Sequence, residues 1–307
     1  MPINSRHHKI LVSNITKKIK KSLLPEDIIE SYTKNGFAIV RNIVPVQRIN
    51  SLLENIFNLF CKYSTDCQEL KNMEKPWNTE LFHKKLIEFR QKDPESFGAI
   101  YDSLKTSLTL TQLITDNKVT DFVAKFLKIK PSDLSISEPM CRLDVPNDKR
   151  NALDWHQERS FFPQNRNGLN GLVCWIPLTD ITEEMGPIHI SPRSHAEGQL
   201  KLSNKTKKNM SYTTQIPVPE EFVSKYEDLV VRANAGDAVF FNMLLFHRSG
   251  QNISNKIRLA TQGRFHTSTA DDFIPFDLIN YYNPFVKQKL EKKYDCSDIP
   301  NNERQPP

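Results

Sequence analysis

Two imidazoles and one carboxylate stand at spacings that suit a metal site. His156 and Glu158 are two residues apart in the segment 153–158, which we predict to be a strand. Because side chains alternate with period two along a strand, both would project from the same face. His247 lies much further along the chain, on a later predicted strand. Two histidines and one carboxylate form the facial triad that holds Fe(II) and leaves coordination positions open.

The run before His247 predicts where such a metal would lie. Every second residue before it is apolar: Leu245, Met243, Phe241 and Val239. One apolar face of the predicted strand 237–247 therefore ends in a histidine. This pattern predicts a metal at the rim of an apolar cavity.

Arg258 follows His247 by eleven residues, near the start of the next predicted strand. The planar fork of an arginine can hold a carboxylate through two hydrogen bonds. Beside an Fe(II) centre, a buried arginine indicates a cosubstrate with a distal carboxylate. Ser249 would add a hydroxyl donor to the same group.

Each of these signals also has a simpler interpretation. A pair such as His156 and Glu158 is more often a surface pair than a pair of ligands. A histidine at the end of an apolar strand is more often a core or rim residue, and a single arginine such as Arg258 usually makes a structural ion pair. What favours the metal site is the ordered combination: the pair on a strand, a β-rich interval with turns, a histidine that ends a strand, and an arginine eleven residues later.

The elements that would position these residues fall into two regions. Residues up to about 130 show mainly helical periodicity. The predicted helices cover 25–35, 46–63, 79–91, 94–115 and 116–128. A short strand at 37–40, after Gly36, would lie on the edge of a sheet.

Strand patterns dominate from Pro131 to about Thr267. The predicted strands cover 135–145, 153–158, 171–178, 187–190, 228–233, 237–247 and 257–267. Short strands separated by turn residues predict a barrel or jelly roll. The fold class is therefore mainly β with flanking helices (α+β), with the helices on one outer face. The polar, basic segment 197–219 is predicted to be a long loop of the kind that often forms a lid.

Composition limits the class of protein. The chain has 307 residues and a net charge of 42 − 36 = +6, without an arginine-rich stripe, so we expect no nucleic-acid partner. No segment approaches 18 apolar residues, so we expect no membrane partner. Five cysteines without a Cys-x-x-Cys motif predict reduced thiols in a cytoplasmic protein. Cys61 and Cys67 could pair or bind a metal, but without further Cys or His partners nearby we expect them to be incidental. We expect one domain over 25–307 with a helix or tail from 271, preceded by a basic, flexible arm at 1–24.

Several motifs, taken in order, resemble those of the phytanoyl-CoA dioxygenase family. They are Trp155-His156-Gln157-Glu158, Phe162-Pro163, Trp175-Ile176-Pro177-Leu178, Met185-Gly186-Pro187-Ile188, Pro192-Arg193-Ser194-His195, Gly236-Asp237-Ala238-Val239, His247-Arg248-Ser249-Gly250 and Arg258. The resemblance covers about residues 25–270. It implies a double-stranded β-helix (jelly-roll, cupin-like) core and an oxygenase that uses Fe(II), 2-oxoglutarate and O2.

The resemblance also implies roles for individual residues. His156, Glu158 and His247 match the metal ligands, and Arg258 with Ser249 match the groups that hold the far carboxylate of 2-oxoglutarate. Two further positions, Gln157 and Trp175, fall near the wall of the cosubstrate pocket. His195 is expected to be structural, and His189 and His266 are expected to line the pocket or to be incidental.

One position departs from the family pattern, because the family usually has Asp where this chain has Glu158. The longer side chain still reaches a metal if the backbone retreats slightly. The implied reaction is hydroxylation or another C–H oxidation of a small organic substrate by a monomer or homodimer. Two alternatives stay open, which are a catalytically silent binding protein and a cupin-like metalloenzyme that does not use 2-oxoglutarate.

The substrate class depends on a set of basic residues. They are Arg142, Arg159, Arg166, Arg193, Arg248, Arg264 and the lysines of 201–208. If they form a basic entrance, the substrate is an anion such as a carboxylate, a phosphate or a coenzyme A ester. The alternative is a merely solvated basic loop.

Overall fold

A computed structural model of the chain describes most of the region between residues 25 and 275. The described residues are 25–148, 153–162, 164–165, 167–201 and 216–275. The predicted arm at 1–24, the centre of the predicted loop 197–219 and the tail from 276 lie outside the described residues. No helix in the described ranges has the length and apolar content needed to cross a bilayer.

Seven α-helices occur among the described residues, six of them before residue 130. They are α1 (Pro25–Asn35), α2 (Val46–Tyr63), α3 (Glu80–Lys92), α4 (Pro94–Lys105), α5 (Leu108–Ile114), α6 (Asn117–Leu127) and the short α7 (Glu220–Val223). The single helix predicted over 94–115 is wrong, because two helices cover this range. Ser107 accepts a hydrogen bond from the Leu110 backbone N–H and thereby caps α5, so a new helix begins there.

Eight strands among the described residues form two sheets. They are β1 (Phe37–Val40), β2 (Leu134–Asp144), β3 (Gly171–Pro177), β4 (Ile188–Ile190), β5 (Leu229–Val230), β6 (Ala238–Asn242), β7 (His247–Ser249) and β8 (Arg258–Thr267). The five-stranded sheet has the order β1-β6-β3-β8-β2, and the three-stranded sheet has the order β5-β4-β7. All of these pairs are antiparallel. The predicted edge position of the short first strand is confirmed.

Strand β8 separates the helical side of the large sheet from the interior between the sheets. Leu259 and Phe265 pack in the core that the large sheet shares with the helices. Ala260 packs in the second core, between the sheets. Because side chains alternate along a strand, Arg258 and Arg264 share the inner face with Ala260.

Two predicted strands around the site are wrong in their details. The segment 153–158 forms no strand, and His156 makes only an isolated bridge to His247. Glu158 begins a single 3-10 turn, Glu158–Ser160. The predicted strand 237–247 is interrupted after Asn242, whose side-chain oxygen accepts the Leu244 N–H and turns the chain. His247 therefore begins β7 in the small sheet instead of ending β6.

The cysteine prediction is also partly wrong. Cys61 and Cys67 form a disulfide, with their Cα atoms 5.3 Å apart. They meet because α2 ends at Tyr63 and the 3-10 turn Thr65–Leu70 folds back against it. Cys141 and Cys174 are buried free thiols, as predicted.

Aromatic packing joins the helices to the outer face of the large sheet. Phe240 of β6 is fully buried, with its ring centroid 5.1 Å from that of Phe126 and 6.3 Å from that of Phe122. Both partners lie on α6. This contact holds the helical layer on the strand whose other face leads to the site.

Phe240→Ala should lower the free energy of unfolding by about 3–5 kcal/mol, because it opens a cavity in this contact. Urea unfolding followed by circular dichroism measures the change. Leu108→Ala is the control, since Leu108 is 75% exposed, and it should change the same free energy by no more than about 0.5 kcal/mol. Equal unfolding midpoints for Phe240→Ala and the wild type would contradict this account of the packing.

Candidate metal and cosubstrate site

His156, Glu158 and His247 come together as a buried cluster. One potential ligand atom from each lies within 4.8 Å of the others. The Glu158 Oε2 atom is 3.1 Å from the His247 Nε2 atom and 3.6 Å from the His156 Nε2 atom. The sequence prediction named these three residues, and the structure brings all of them to one point.

Backbone pairing sets the positions of the two imidazoles. His156 and His247 exchange two backbone hydrogen bonds, of 3.0 and 3.1 Å. A pair of this kind places two side chains directly opposite each other on the same face. The ring centroids are accordingly 4.1 Å apart. Glu158 reaches the same point from its 3-10 turn. His156 and Glu158 therefore lie together for a reason other than the period-two alternation of a strand.

The outer nitrogen of each ring is fixed by a backbone carbonyl. The His156 Nδ1 atom is 2.7 Å from the Asp154 oxygen, and the His247 Nδ1 atom is 2.9 Å from the Leu245 oxygen. Because a carbonyl only accepts, each Nδ1 must carry the proton and donate it. Each Nε2 atom therefore points into the cluster, and it is the ring nitrogen that a metal would bind.

The charges of the cluster favour the metal-binding protonation states. Burial alone would raise the pKa of Glu158, but Arg264 and the two histidines outweigh it and hold that pKa well below its ordinary value. Burial and the neighbouring His156 lower the pKa of His247. The carboxylate is thus ionised and the His247 imidazole neutral at neutral pH.

Arg264 is the residue of this site that sequence reasoning misplaced. It was expected at a basic entrance, but its guanidinium binds the other oxygen of Glu158. The Nε and Nη2 atoms each lie 2.7 Å from Glu158 Oε1. The only available signal was its even separation from Arg258, which puts both side chains on the inner face of one strand.

Other arginines of the predicted entrance also hold carboxylates. The Arg142 Nε atom is 3.1 Å from Asp144 Oδ1, and the Arg248 Nη2 atom is 2.9 Å from Asp228 Oδ2. These two arginines are therefore not merely solvated. The predicted lysines at 205–208 lie outside the described residues.

Arg258 is buried on the inner face of β8 and makes an ion pair. Its Nε and Nη2 atoms lie 3.0 and 2.6 Å from Asp144 Oδ2, and its Nη1 atom is 3.3 Å from the Gly250 oxygen. Burial opposes ionisation of Asp144, but Arg142 and Arg258 prevail and lower its pKa. These three bonds use three of the five N–H groups of Arg258. The Nη1–Nη2 edge is the one that a carboxylate ligand would approach.

The remaining residues predicted for the cosubstrate make contacts within the protein. Gln157 is fully buried, and its Nε2 atom donates to the Gly198 and Leu244 oxygens at 2.7 and 2.8 Å. Trp175 is buried in the core between the sheets, opposite Val239. Their predicted roles beside the cosubstrate stay predictions.

Ser249 and the other histidines lie in different surroundings. Ser249 ends β7 and pairs with Ile188 of β4. The His189 Nδ1 atom lies 2.6 Å from Asp228 Oδ1. His195 packs closely on Gly36: a Cβ atom added to Gly36 would lie 2.5 Å from the His195 Nδ1 atom. This close packing agrees with a structural role for His195.

His266 lies two residues beyond Arg264 on the same face of β8. Its Nε2 atom is 2.9 Å from the Ser137 hydroxyl. Burial and the positive charges of Arg264 and Arg159 lower its pKa to about 3, so it is neutral at physiological pH. It contributes no atom to the three-residue cluster.

The donor set fits one class of metal. Two imidazoles and one carboxylate, all buried and with ligand atoms within 4.8 Å of one another, match the 2-His-1-carboxylate triad of non-haem Fe(II) sites. Within the described residues, the cluster contains no fourth His, Cys, Asp or Glu. Three donors leave coordination positions for exogenous ligands.

His247→Ala should weaken Mn(II) binding, measured by calorimetry as a redox-stable substitute for Fe(II). The expected loss is at least about 100-fold, because loss of an outer-shell partner alone costs 10–100-fold. His189→Gln removes a histidine outside the cluster and should leave the affinity unchanged. Unaltered Mn(II) affinity in His247→Ala would show that the metal binds elsewhere.

Comparison with known proteins places the chain in a family. The family model for phytanoyl-CoA dioxygenase (PhyH) matches residues 32–260. The human peroxisomal phytanoyl-CoA dioxygenase is 25% identical over 243 residues, which are 76% of this chain. The chain covers 66% of the length of that human relative, slightly less than two thirds.

Two solved structures share the fold. The epimerase SnoN, in complex with Fe3+, alpha ketoglutarate and nogalamycin RO, has a TM-score of 0.54 at 16% identity, covering 82% of this chain and 86% of its own. EvdO2 from Micromonospora carbonacea var. aurantiaca, complexed with 2-oxoglutarate, has a TM-score of 0.55 at 17% identity. The match covers 82% of this chain and 96% of the EvdO2 chain. The predicted cupin-like fold class is confirmed, and the match to the family model over residues 32–260 shows that this chain belongs to the phytanoyl-CoA dioxygenase (PhyH) family.

Proposed function

We propose that the protein is an Fe(II)- and 2-oxoglutarate-dependent oxygenase that oxidises a C–H bond of a small organic substrate. Succinate and CO2 would be the coproducts. The observation that carries the proposal is the buried cluster of His156, Glu158 and His247, whose two Nε2 atoms and one carboxylate oxygen meet at one point. Membership of the PhyH family supports it.

Each residue of the cluster would have a defined task. The His156 Nε2, His247 Nε2 and Glu158 Oε2 atoms would hold Fe(II), which when bound supplies the activation of O2 that side chains cannot provide. Three protein donors would leave coordination positions of such a metal free for 2-oxoglutarate and O2.

Arg258 would bind the distal carboxylate of 2-oxoglutarate through its Nη1–Nη2 edge, assisted by the Ser249 hydroxyl. Asp144 holds the opposite edge of the guanidinium, so the fork has a fixed orientation before the cosubstrate arrives. A fork that is oriented in advance loses less conformational freedom on binding. Gln157 would act indirectly, because its bonds tie the 198–200 segment to the turn before His247.

Aromatic rings would exclude water from the reacting centre. The ring centroid of Phe161 is 5.6 Å from that of His156, and the ring centroid of Phe241 is 4.6 Å from that of His247. Both belong to or pack on the apolar core between the sheets. Exclusion of water protects a reactive oxidant and strengthens the electrostatic contacts around it.

The substrate is proposed only as a class. The human relative is named for a coenzyme A thioester, whereas the SnoN structure holds nogalamycin RO. These two molecules differ in chemistry, so the family supports a small-molecule substrate without specifying which one. The cytoplasmic location and the monomeric or homodimeric state likewise stay predictions.

Arg258→Lys should weaken 2-oxoglutarate binding to the Mn(II)-loaded protein by about 10- to 100-fold. The lysine keeps the charge but loses the fork, and a hydrogen bond to a charged group contributes about 1.5–3 kcal/mol. Calorimetric titration with 2-oxoglutarate measures the loss. Arg232→Lys is the matched control, because the Arg232 side chain is 82% exposed.

Two results would contradict the proposal at different points. If Arg258→Lys binds 2-oxoglutarate as tightly as the wild type, Arg258 is structural and the metalloenzyme that does not use 2-oxoglutarate is favoured. The wild type can be assayed with Fe(II), 2-oxoglutarate and O2, alone or with a panel of acids, phosphates and coenzyme A esters. If it forms no succinate, the proposed oxygenase activity is wrong.

A further inference from the structure

We propose that Arg264 is the positioning residue of the metal site. It holds one oxygen of Glu158 so that the other is presented to the metal, and it thereby allows glutamate to serve where the family usually has aspartate. This inference rests on the proposed metal site of His156, Glu158 and His247. It concerns how that site is built and assigns Arg264 a task that neither family membership nor the ligand set requires.

The two oxygens of Glu158 have separate partners. Oε1 receives the Nε and Nη2 groups of Arg264, both at 2.7 Å. Oε2 faces the Nε2 atoms of His247 and His156, at 3.1 and 3.6 Å. Only Oε2 is therefore directed at the metal position. A carboxylate with one oxygen held in this way would bind the metal through its other oxygen.

Arg264 is itself held in place from several sides. Its side chain is only 5% exposed, and its guanidinium lies over the Phe162 ring, 4.2 Å from the centroid. Its backbone is locked in the large sheet, opposite Val173 of β3 and Ser137 of β2. Moving the guanidinium away from Glu158 would leave two charges buried without each other, which is costly.

The glutamate needs this restraint more than an aspartate would. Glutamate has one more side-chain torsion than aspartate, so more freedom is lost when its carboxylate is fixed. Glu158 lies at the start of a 3-10 turn, where no strand pairing of its own holds it. An aspartate on the same backbone would withdraw its oxygens by about 1.5 Å, one C–C bond, from both Arg264 and the metal. Glu158 and Arg264 therefore form one unit.

The chain provides a matched control on the same strand face. Arg258 also holds a buried carboxylate, that of Asp144, and it is buried to a similar extent. It lies six residues from Arg264, or about 20 Å along the strand. Its partner Asp144 does not belong to the three-residue cluster. Substituting Arg258 therefore disturbs a buried ion pair of β8 without disturbing a residue of the metal site.

The test is a double-mutant cycle read out as Mn(II) affinity, with no turnover required. The proteins are the wild type, Arg264→Lys, Glu158→Asp and the double variant, each titrated with Mn(II) by calorimetry. Arg264→Lys should weaken binding by about 10- to 100-fold, the usual cost of losing a group that orients a ligand. Glu158→Asp should weaken it at least about tenfold, because the shorter side chain withdraws a ligand atom, and loss of an outer-shell partner alone already costs about 10–100-fold. In the Glu158→Asp background, Arg264→Lys should change it by less than about threefold, because the carboxylate that Arg264 orients has already withdrawn.

Arg258→Lys should leave Mn(II) affinity within about threefold of the wild type, since its partner is not a ligand. A second variant, Phe162→Leu, removes the ring beneath the guanidinium and keeps the ion pair. It should weaken Mn(II) binding about two- to fivefold. This variant keeps the proposal testable if Arg264→Lys fails to fold, which the circular dichroism spectrum of the metal-free protein would show.

Three results would overturn the proposal. The first is a Mn(II) affinity of Arg264→Lys within about threefold of the wild type. The second is that Arg264→Lys loses the same factor of Mn(II) affinity with Glu158 present as in the Glu158→Asp protein. The third is that Arg258→Lys loses as much Mn(II) affinity as Arg264→Lys. The second and third would show that Arg264 acts through the general packing of β8. Failure of the metal site itself is distinguishable, because the wild type would then bind no Mn(II).

Discussion

The pair of backbone hydrogen bonds between His156 and His247 is the contact on which the site depends. It joins a segment without a strand of its own to the first residue of β7. It also brings the two imidazoles together, with ring centroids 4.1 Å apart and ring planes tilted by 50°. The Asn242 turn delivers His247 to this pairing, and Gln157 ties the same turn to the 198–200 segment. Glu158 then needs only one 3-10 turn to bring its Oε2 atom within 3.1 Å of the His247 Nε2 atom and 3.6 Å of the His156 Nε2 atom.

Buried charge shapes the interior around this contact. The inner face of β8 carries Arg258 and Arg264, each with a buried carboxylate, Asp144 and Glu158. Pairs of this kind rarely add net stability over apolar residues of similar size, because desolvation offsets their attraction. Their presence in the apolar interior is therefore better explained by the binding that we propose for the metal and for 2-oxoglutarate. One pair faces the proposed cosubstrate, and the other orients a metal ligand.

The sequence was most informative where a pattern extends over many residues or where several motifs occur in a fixed order. The ligand set, the helical first third and the strand character of β2, β3 and β8 all followed from periodicity and from ordered motifs. Local details were less predictable, because the break before α5 and the turn after Asn242 depend on single side-chain hydrogen bonds. The partner of Arg264 was beyond sequence reasoning, since 106 residues separate it from Glu158. The Cys61–Cys67 disulfide depends likewise on how a turn folds back on α2.

A crystal structure of the protein with Mn(II) and 2-oxoglutarate, grown without O2, tests the central claim most directly. The anomalous signal of Mn(II) should lie between His156 Nε2, His247 Nε2 and Glu158 Oε2, with Glu158 Oε1 still on Arg264 and the distal carboxylate of 2-oxoglutarate on Arg258. Mn(II) bound away from these three residues, or bound without Glu158, would contradict the account.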